Sequence, residues 1–260
     1  GSARGELGVP NRKIGVRGNG ERGRPMNSPT GYRREMPEVH PPYDHPAYTS
    51  THKRAPRHAP VRLEHTLSEI TGPRLARETL ASGNSENDLT HFNGGAALGE
   101  RIIVTGRVID EDGRAIPHTA IEIWQANAAG RYAHPEDQHQ APLDPHFAGI
   151  GKVVTDEHGT YRFMTVKPGA YPWRNHHNAW RPNHIHFSLF GPSFATRLIT
   201  QMYFPGDPLL AIDPIFNSVA DRSARESLVA TFDIEVTIPE YALGYRFDFV
   251  LRGRDATITR

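Results

Sequence analysis

The chain has 260 residues, a formal net charge of +1 and no cysteine, which excludes disulfides and thiolate metal sites. A charge balance this close to neutral gives no bulk attraction to nucleic acid or to an anionic membrane surface, so we expect neither partner. No apolar run approaches the roughly 18 residues that span a bilayer, and no apolar signal-peptide core is found near residue 1. We therefore expect a soluble, cytoplasmic protein.

The region before the first regular strand divides into two parts. Residues 1–39 are rich in glycine, arginine and proline and lack apolar periodicity, which predicts a disordered leader. Gly1-Ser2 in this leader is typical of a cloning remnant. Residues 40–98 predict an extended arm with short helical turns, lying on a larger body. We expect no helix over 40–60, because its prolines exclude one.

Regular structure is predicted over residues 99–260, where short apolar segments alternate with turns. The predicted strands are 102–109, 119–125, 152–155, 161–166, 184–190, 198–204, 232–238 and 245–251. A short helix is expected near 221–230, with Asp221 as its N-cap. The 24 glycines and 22 prolines supply many turns, and the pattern predicts an all-β fold, a β-sandwich of antiparallel or mixed sheets.

One loop in this domain is unusually long. Residues 126–150 are polar and carry a tyrosine, Tyr132, together with several histidines. Loops of this length inside a compact domain are commonly functional or disordered. The length of this loop therefore predicts either a functional or a disordered segment.

The densest chemistry lies between residues 171 and 187. His184 and His186 share one face of a predicted strand, roughly 6.5 to 7 Å apart along it, so both imidazoles can reach one metal ion. Tyr171 and Arg181 each precede a proline, which favours an extended backbone on the approach to the histidines. Taken alone, the His-x-His pattern leaves zinc, copper and iron open, and also an ordinary hydrogen-bonded pair without metal.

The context of these residues carries a more specific signal. The segments Tyr132-x-His134, Tyr171-Pro172-Trp173-Arg174 and Trp180-Arg181-Pro182-x-His184-x-His186-Phe187 resemble, in order and spacing, the intradiol ring-cleaving dioxygenases. The resemblance extends from about residue 40 to residue 252, and it is greatest to the protocatechuate branch of that family.

The resemblance implies a mononuclear, non-haem Fe(III) site, with a single ion per chain and a hydroxide ligand. The implied protein ligands are Tyr132, Tyr171, His184 and His186. Two phenolates and a hydroxide offset the charge of a trivalent ion, and hard oxygen donors suit it.

The resemblance also implies roles for residues around the metal. Catalytic roles are implied for Tyr171, Arg181 and Gln201. Contact with the substrate is implied for Tyr48, Arg54, Trp173 and Ile215. Without the resemblance, Tyr132 is equally a loop anchor and Arg181 an ordinary ion-pair partner.

The implied activity is cleavage of protocatechuate by O2 to 3-carboxy-cis,cis-muconate, a step of aromatic catabolism in the beta-ketoadipate pathway. The implied partner is a homologous alpha chain in a hetero-oligomer that covers part of the substrate pocket. The alternatives are a catechol or hydroxyquinol 1,2-dioxygenase, a zinc or copper site, and a non-catalytic β-sandwich binding module.

Overall fold

The computed structural model describes residues 39–61, 86–177, 180–190, 197–251 and 256–258. The predicted leader lies outside the described residues, apart from Val39. Within these ranges, no helix is both long enough and apolar enough to cross a membrane.

The described residues form short strands and a few helical turns. The strands are β1 (His91–Phe92), β2 (Gly95–Ala96), β3 (Arg101–Ile109), β4 (Ala120–Trp124), β5 (Ile150–Val154), β6 (Thr160–Val166), β7 (Tyr171–Pro172), β8 (Trp180–Arg181), β9 (His184–Phe190), β10 (Arg197–Tyr203), β11 (Thr231–Phe232), β12 (Leu243–Arg246) and β13 (Phe249–Val250). The α-helices are α1 (Thr51–Arg54), α2 (Pro214–Asn217) and α3 (Arg222–Glu226), and 3₁₀ turns cover Pro208–Ala211 and Ile234–Val236.

Two larger sheets form the body of the fold. The first has the order β10-β9-β4-β5 and is antiparallel throughout. In the second, β3 is central: β6 pairs with it antiparallel, β12 and β13 pair with it parallel, and β11 extends the sheet beyond β12. Two small ladders, β1-β2 and β7-β8, lie outside these sheets.

The apolar core lies between the two sheets. Phe187 on β9 contacts Phe163 on β6 and Phe249 on β13, with ring centroids 6.0 and 5.1 Å apart. Burial of apolar side chains on the facing surfaces of two sheets is what holds a sandwich together. The predicted all-β sandwich with mixed and antiparallel sheets and short helices is therefore confirmed.

Strand β9 is buried on both faces, and this positions the site. Ile185, Phe187 and Leu189 point into the core between the sheets. The alternate residues, His184 and His186, are also buried but face away from the core, where loops cover the sheet. A rigid central strand thus presents both imidazoles to one enclosed region.

Most predicted elements are confirmed within two residues at either end. The turn after β3 has Gly113 at φ 79°, a conformation that glycine adopts without strain. Asp221 caps α3, since its carboxylate accepts a hydrogen bond from the Ala224 amide at 2.7 Å. That helix ends at Glu226 and is shorter than predicted.

The prediction of a strand over 232–238 is wrong beyond Phe232, where the chain leaves β11 and forms a 3₁₀ turn. The Asp233 carboxylate accepts a hydrogen bond from the Glu235 amide at 2.9 Å, which starts a 3₁₀ turn. The same carboxylate accepts a hydrogen bond from Nε of Arg246 at 2.9 Å. A partner distant in sequence therefore stabilises a turn that the local apolar pattern does not indicate.

The strand predicted over 245–251 is interrupted. It forms β12 and β13, with Phe247 and Asp248 between them. Oδ1 of Asp248 accepts a hydrogen bond from the Arg107 amide at 2.7 Å, so a side chain replaces one main-chain partner of the ladder. Gly106 lies beside this break, where the Phe247 carbonyl approaches the backbone of β3.

The prediction of a helix-free stretch over 40–60 is wrong at one place, α1. Oγ1 of Thr51 donates a hydrogen bond to the Tyr48 carbonyl at 2.7 Å and accepts one from the His45 amide at 2.9 Å. These bonds close a single helical turn that ends before Pro56. One turn fits here because a proline restricts only its own position and the residue before it.

Candidate active site

His184 and His186 lie side by side on β9. Their ring centroids are 4.8 Å apart, and strand pairing places Gln201 opposite His186 and Tyr203 opposite His184. On the other side of β9, Trp124 stacks on His186 at 4.8 Å with nearly parallel rings. Cross-strand neighbours therefore fix the orientation of both imidazoles.

Tyr132 comes from the long loop between β4 and β5. Its amide donates a hydrogen bond to the Asp137 carboxylate at 2.8 Å. The Asn127 side-chain oxygen accepts a hydrogen bond from the Arg131 amide at 2.9 Å and shapes the preceding turn. With the loop held in this way, the Tyr132 hydroxyl lies 3.2 Å from Nε2 of His186.

Tyr171 approaches from β7. Its hydroxyl lies 3.4 Å from Nε2 of His184, and its ring meets that of Tyr132 edge-on, with centroids 5.3 Å apart. The β7-β8 ladder pairs Tyr171 with Arg181. Three separate segments thus bring two phenol oxygens and two imidazole nitrogens together.

This donor set fits a metal ion that accepts oxygen and nitrogen ligands. The four groups contact one another in hydroxyl–imidazole pairs, the arrangement expected of ligands that share one centre. Among the described residues, no group of three or more histidine, cysteine, aspartate or glutamate side chains could hold a metal. A metal at this site would therefore depend on the two tyrosines as well as the histidines.

Arg181 lies beside these four side chains and has no exposed surface. Its Nε donates to Oδ1 of Asp213 at 2.9 Å, and its Nη2 donates to the Gln201 side-chain oxygen at 2.8 Å. The Tyr203 hydroxyl lies 3.3 Å from Nη2. Cζ lies 5.1 Å from the centroid of the Trp173 ring, a cation–π contact.

The charge of Arg181 is stabilised by its surroundings. Burial by itself would lower the pKa of the guanidinium, but Tyr203, Asp213 and Tyr171 together raise it above its ordinary value. Nη1 of Arg181 is buried and has no hydrogen-bond partner among the described residues. A permanent cation with a free donor is therefore enclosed next to the tyrosine–histidine cluster.

The predicted substrate-contacting residues fall into two places. Tyr48 is buried, and its ring lies 4.9 Å from Trp173 and 4.5 Å from the Arg54 guanidinium carbon. These three residues form one cluster, which continues through Trp173 to Arg181. Ile215 belongs to a different element: it is half-buried on α2, immediately after the Asp213-Pro214 step.

A cavity of about 960 Å³ opens onto the cluster. Four of the residues identified from the sequence line it: Tyr132, Tyr171, Trp173 and His186. The loop histidines His134 and His139 also line it. The volume is ample for a single-ring aromatic substrate.

Sequence reasoning missed several residues of this site. Tyr203 lies two positions after Gln201 and so on the same face of β10; strand alternation could have identified it. The Asp213-Pro214 step resembles a helix N-cap, and Asp213 does accept a hydrogen bond from the Phe216 amide. Its ion pair with Arg181, 32 positions away, has no local sequence signal.

The sequence of the chain matches known families of dioxygenases. A family model described as Dioxygenase matches residues 70–253, and a model described as protocatechuate 3,4-dioxygenase beta subunit N terminal matches residues 32–66. The protocatechuate 3,4-dioxygenase beta chain of Burkholderia cepacia is 55% identical over 235 residues, covering 89% of this chain and 98% of the relative. The chain belongs to the intradiol dioxygenase family. The predicted family and enzyme class are confirmed.

Two further relatives are less similar to this chain. The protocatechuate 3,4-dioxygenase alpha chain of Pseudomonas putida is 30% identical, covering 75% of this chain and 96% of the relative. Hydroxyquinol 1,2-dioxygenase of Rhizobium sp. is 34% identical, covering 52% of this chain and 45% of the relative.

Proposed function

We propose that the chain catalyses intradiol cleavage of protocatechuate by O2 to 3-carboxy-cis,cis-muconate. The observation that carries this proposal is the cluster of two tyrosines and two histidines beside the buried Arg181, at the edge of a cavity. The similarity to a beta chain over almost its whole length supports protocatechuate as the substrate. The hydroxyquinol enzyme shares less than half of its own length with this chain.

We infer that the metal is iron(III), as is typical of the intradiol dioxygenase family. Tyr132, Tyr171, His184 and His186 would hold it, and two phenolates suit a hard, trivalent ion. When bound, the iron would accept both catechol oxygens of the substrate and make the ring reactive toward O2.

Tyr171 is the proposed base for the substrate. Protocatechuate must lose both ring-hydroxyl protons to bind as a dianion; a phenolate at the site can accept one of them and a hydroxide the other. Tyr171 suits this role because it is half-buried and belongs to a ladder of only two residue pairs. Arg181 is opposite it and can stabilise a charge that moves between tyrosine and substrate.

Arg181 is the proposed electrostatic catalyst. Its free Nη1 donor and its positive charge can stabilise negative charge that develops on the substrate ring. Asp213 and Gln201 hold the guanidinium in place before the substrate arrives. A donor that is already oriented does not have to reorganise during the reaction.

Tyr48 and Arg54 are proposed to bind the substrate carboxylate. A guanidinium and a phenol hydroxyl form charge-assisted hydrogen bonds with a carboxylate. Trp173 connects this pair to Arg181, which supports one continuous substrate site.

The test is turnover by the purified enzyme with three substrates: protocatechuate, catechol and hydroxyquinol. We expect O2 uptake to match protocatechuate loss, with 3-carboxy-cis,cis-muconate as the product identified by mass and ultraviolet spectrum. A higher kcat/KM for catechol or hydroxyquinol would contradict the substrate assignment. Binding of protocatechuate without turnover by the iron-loaded protein would instead support a binding module.

We propose further that the chain functions in a hetero-oligomer with a homologous alpha chain. The alpha-chain relative matches this chain over 96% of its own length, so the two chain types share a fold. Expressing the chain with and without the gene for such a partner tests this. A soluble, fully active homo-oligomer without the partner would contradict the proposal.

A further inference from the structure

The N-terminal arm reaches the site through a short contact with the loop that follows β7. The arm residues next to Tyr48 are Thr49 and Ser50, and both bind Asn175. Asn175 lies two residues after Trp173 and four after Tyr171. The residue that holds the arm is therefore close in sequence to two residues of the candidate site.

The side chain of Asn175 uses both of its polar atoms in this contact. Its oxygen accepts hydrogen bonds from the Ser50 amide at 2.8 Å and from Oγ1 of Thr49 at 2.6 Å. Its nitrogen donates to Oγ of Ser50 at 2.8 Å. The main-chain carbonyl of Asn175 also accepts a hydrogen bond from the Thr49 amide at 3.0 Å. An amide provides an acceptor and a donor at once, which aspartate and alanine do not.

The loop that carries Asn175 is itself anchored to the site. Nε2 of His176 lies 3.0 Å from the Trp180 carbonyl on β8, and Trp173 packs against the Arg181 guanidinium. Asn175 lies between these two anchors. The position of Asn175 is therefore restrained on both sides, and the arm is hydrogen-bonded to it.

The arm delivers the residues that we propose bind the substrate carboxylate. Tyr48 directly precedes Thr49, and α1 places Arg54 over the Tyr48 ring at 4.5 Å. Thr49 is exposed and Ser50 half-buried, so apolar burial on these two residues contributes little to holding the arm. The hydrogen bonds to Asn175, together with the packing of the buried Tyr48 ring on Trp173, hold the part of the arm that carries Tyr48 and Arg54.

We propose that Asn175 is a positioning residue that determines how strongly the enzyme prefers a catechol bearing a ring carboxylate. It does so by fixing the arm that carries Tyr48 and Arg54. This inference rests on the proposed function, since it assumes that the Tyr48–Arg54 pair binds the carboxylate. Asn175 touches neither the substrate nor the metal, so its removal should affect substrate preference and leave the reaction itself intact.

The experiment compares protocatechuate with catechol, which lacks the carboxylate, in the iron-loaded complex with the partner chain. Asn175→Ala removes three side-chain hydrogen bonds. We expect it to raise the KM for protocatechuate about tenfold, because the net contribution of each such bond is small. The KM for catechol and the kcat for both substrates should change less than about twofold. Thr49→Val removes one of the same bonds from the arm side and should act in the same direction.

Controls separate this inference from the proposed function. His52→Ala alters an exposed arm residue that contacts Asp44, and it should leave both KM values unchanged. Tyr48→Phe should raise the KM for protocatechuate selectively, and the double variant with Asn175→Ala should lose little more than Tyr48→Phe alone.

Each outcome has a distinct meaning. If Tyr48→Phe is selective but Asn175→Ala and Thr49→Val are not, the positioning role is overturned while the carboxylate site stands. If Asn175→Ala raises the KM for protocatechuate and for catechol equally, Asn175 contributes only to general stability, and the positioning role is likewise overturned. If Tyr48→Phe shows no selectivity, the proposed carboxylate site itself is wrong.

Discussion

The guanidinium of Arg181 and the carboxylate of Asp213 form an ion pair in which neither side chain has any exposed surface, with Nε and Oδ1 2.9 Å apart. The same carboxylate lies 3.3 Å from the Tyr203 hydroxyl and caps α2. Asp213 therefore links the proposed electrostatic catalyst to the helix that carries Ile215. Removing one charge of such a pair leaves the other buried without compensation.

Asp213→Asn should lower the free energy of unfolding by about 3–5 kcal/mol, the usual cost of breaking a buried ion pair from one side. Chemical denaturation followed by tryptophan fluorescence measures this. The exposed pair Arg222–Glu226 is the control, because solvent screens it and Glu226→Gln should have no measurable effect. Equal effects of the two substitutions would show that the Arg181–Asp213 pair contributes little to stability.

Gln201→Leu should weaken iron binding by about 10-fold, because it removes the side chain packed against His186 and an acceptor of the buried Arg181 guanidinium beside the site. The Gln201 amide nitrogen lies 3.1 Å from Nδ1 of His186, and its oxygen accepts from Arg181. Competition with a chelator measures the affinity. Thr200→Val changes the neighbouring buried residue of β10 and is the control, since it should retain iron. Equal losses of iron affinity in the two variants would indicate disruption of the strand rather than of a specific contact.

Tyr171→Phe should retain iron but slow the binding of protocatechuate at least about 100-fold, because phenylalanine cannot accept a substrate proton. Rapid mixing without O2, followed at visible wavelengths, resolves this step. Tyr132→Phe is the matched comparison and should alter the visible spectrum with a smaller effect on the binding rate. An unchanged rate for Tyr171→Phe would exclude Tyr171 as the base.

Gly106→Ala should destabilise the fold by about 1–3 kcal/mol through overpacking. A Cβ at this position would overlap the Phe247 carbonyl, whose residue also donates to the Thr105 carbonyl at 2.9 Å. Gly113→Asn is the control, because a Cβ there meets nothing within 4 Å and asparagine tolerates positive φ. Similar thermal midpoints for the two variants would contradict a close approach at Gly106.

Much of the fold follows from local patterns in the sequence. Alternation of side chains identifies β9 and the shared face of His184 and His186. The break at Asp248 was not predictable in this way, because it depends on the Arg107 amide of a distant strand. The turn at Asp233 likewise depends on Arg246. Local sequence patterns do not contain information on contacts between side chains and residues that are distant in sequence, because those contacts form only on folding.

Only part of the candidate site could be predicted from the residues themselves. The length of the polar loop over 126–150 left function and disorder open, and Tyr132 and Tyr171 were assigned through resemblance to the intradiol dioxygenases. Their approach to within 3.2 and 3.4 Å of the histidines depends on tertiary structure. Asn175 and Asp213 act on the site through contacts across 125 and 32 positions, which no sequence window contains.

The central claim is that two tyrosines and two histidines hold iron(III), and the most direct measurement is metal analysis of the purified protein together with its visible spectrum. We predict stoichiometric iron and a red-brown colour from phenolate-to-iron charge transfer, a band that Tyr132→Phe weakens or shifts. Stoichiometric zinc in a colourless protein that turns over protocatechuate would contradict it.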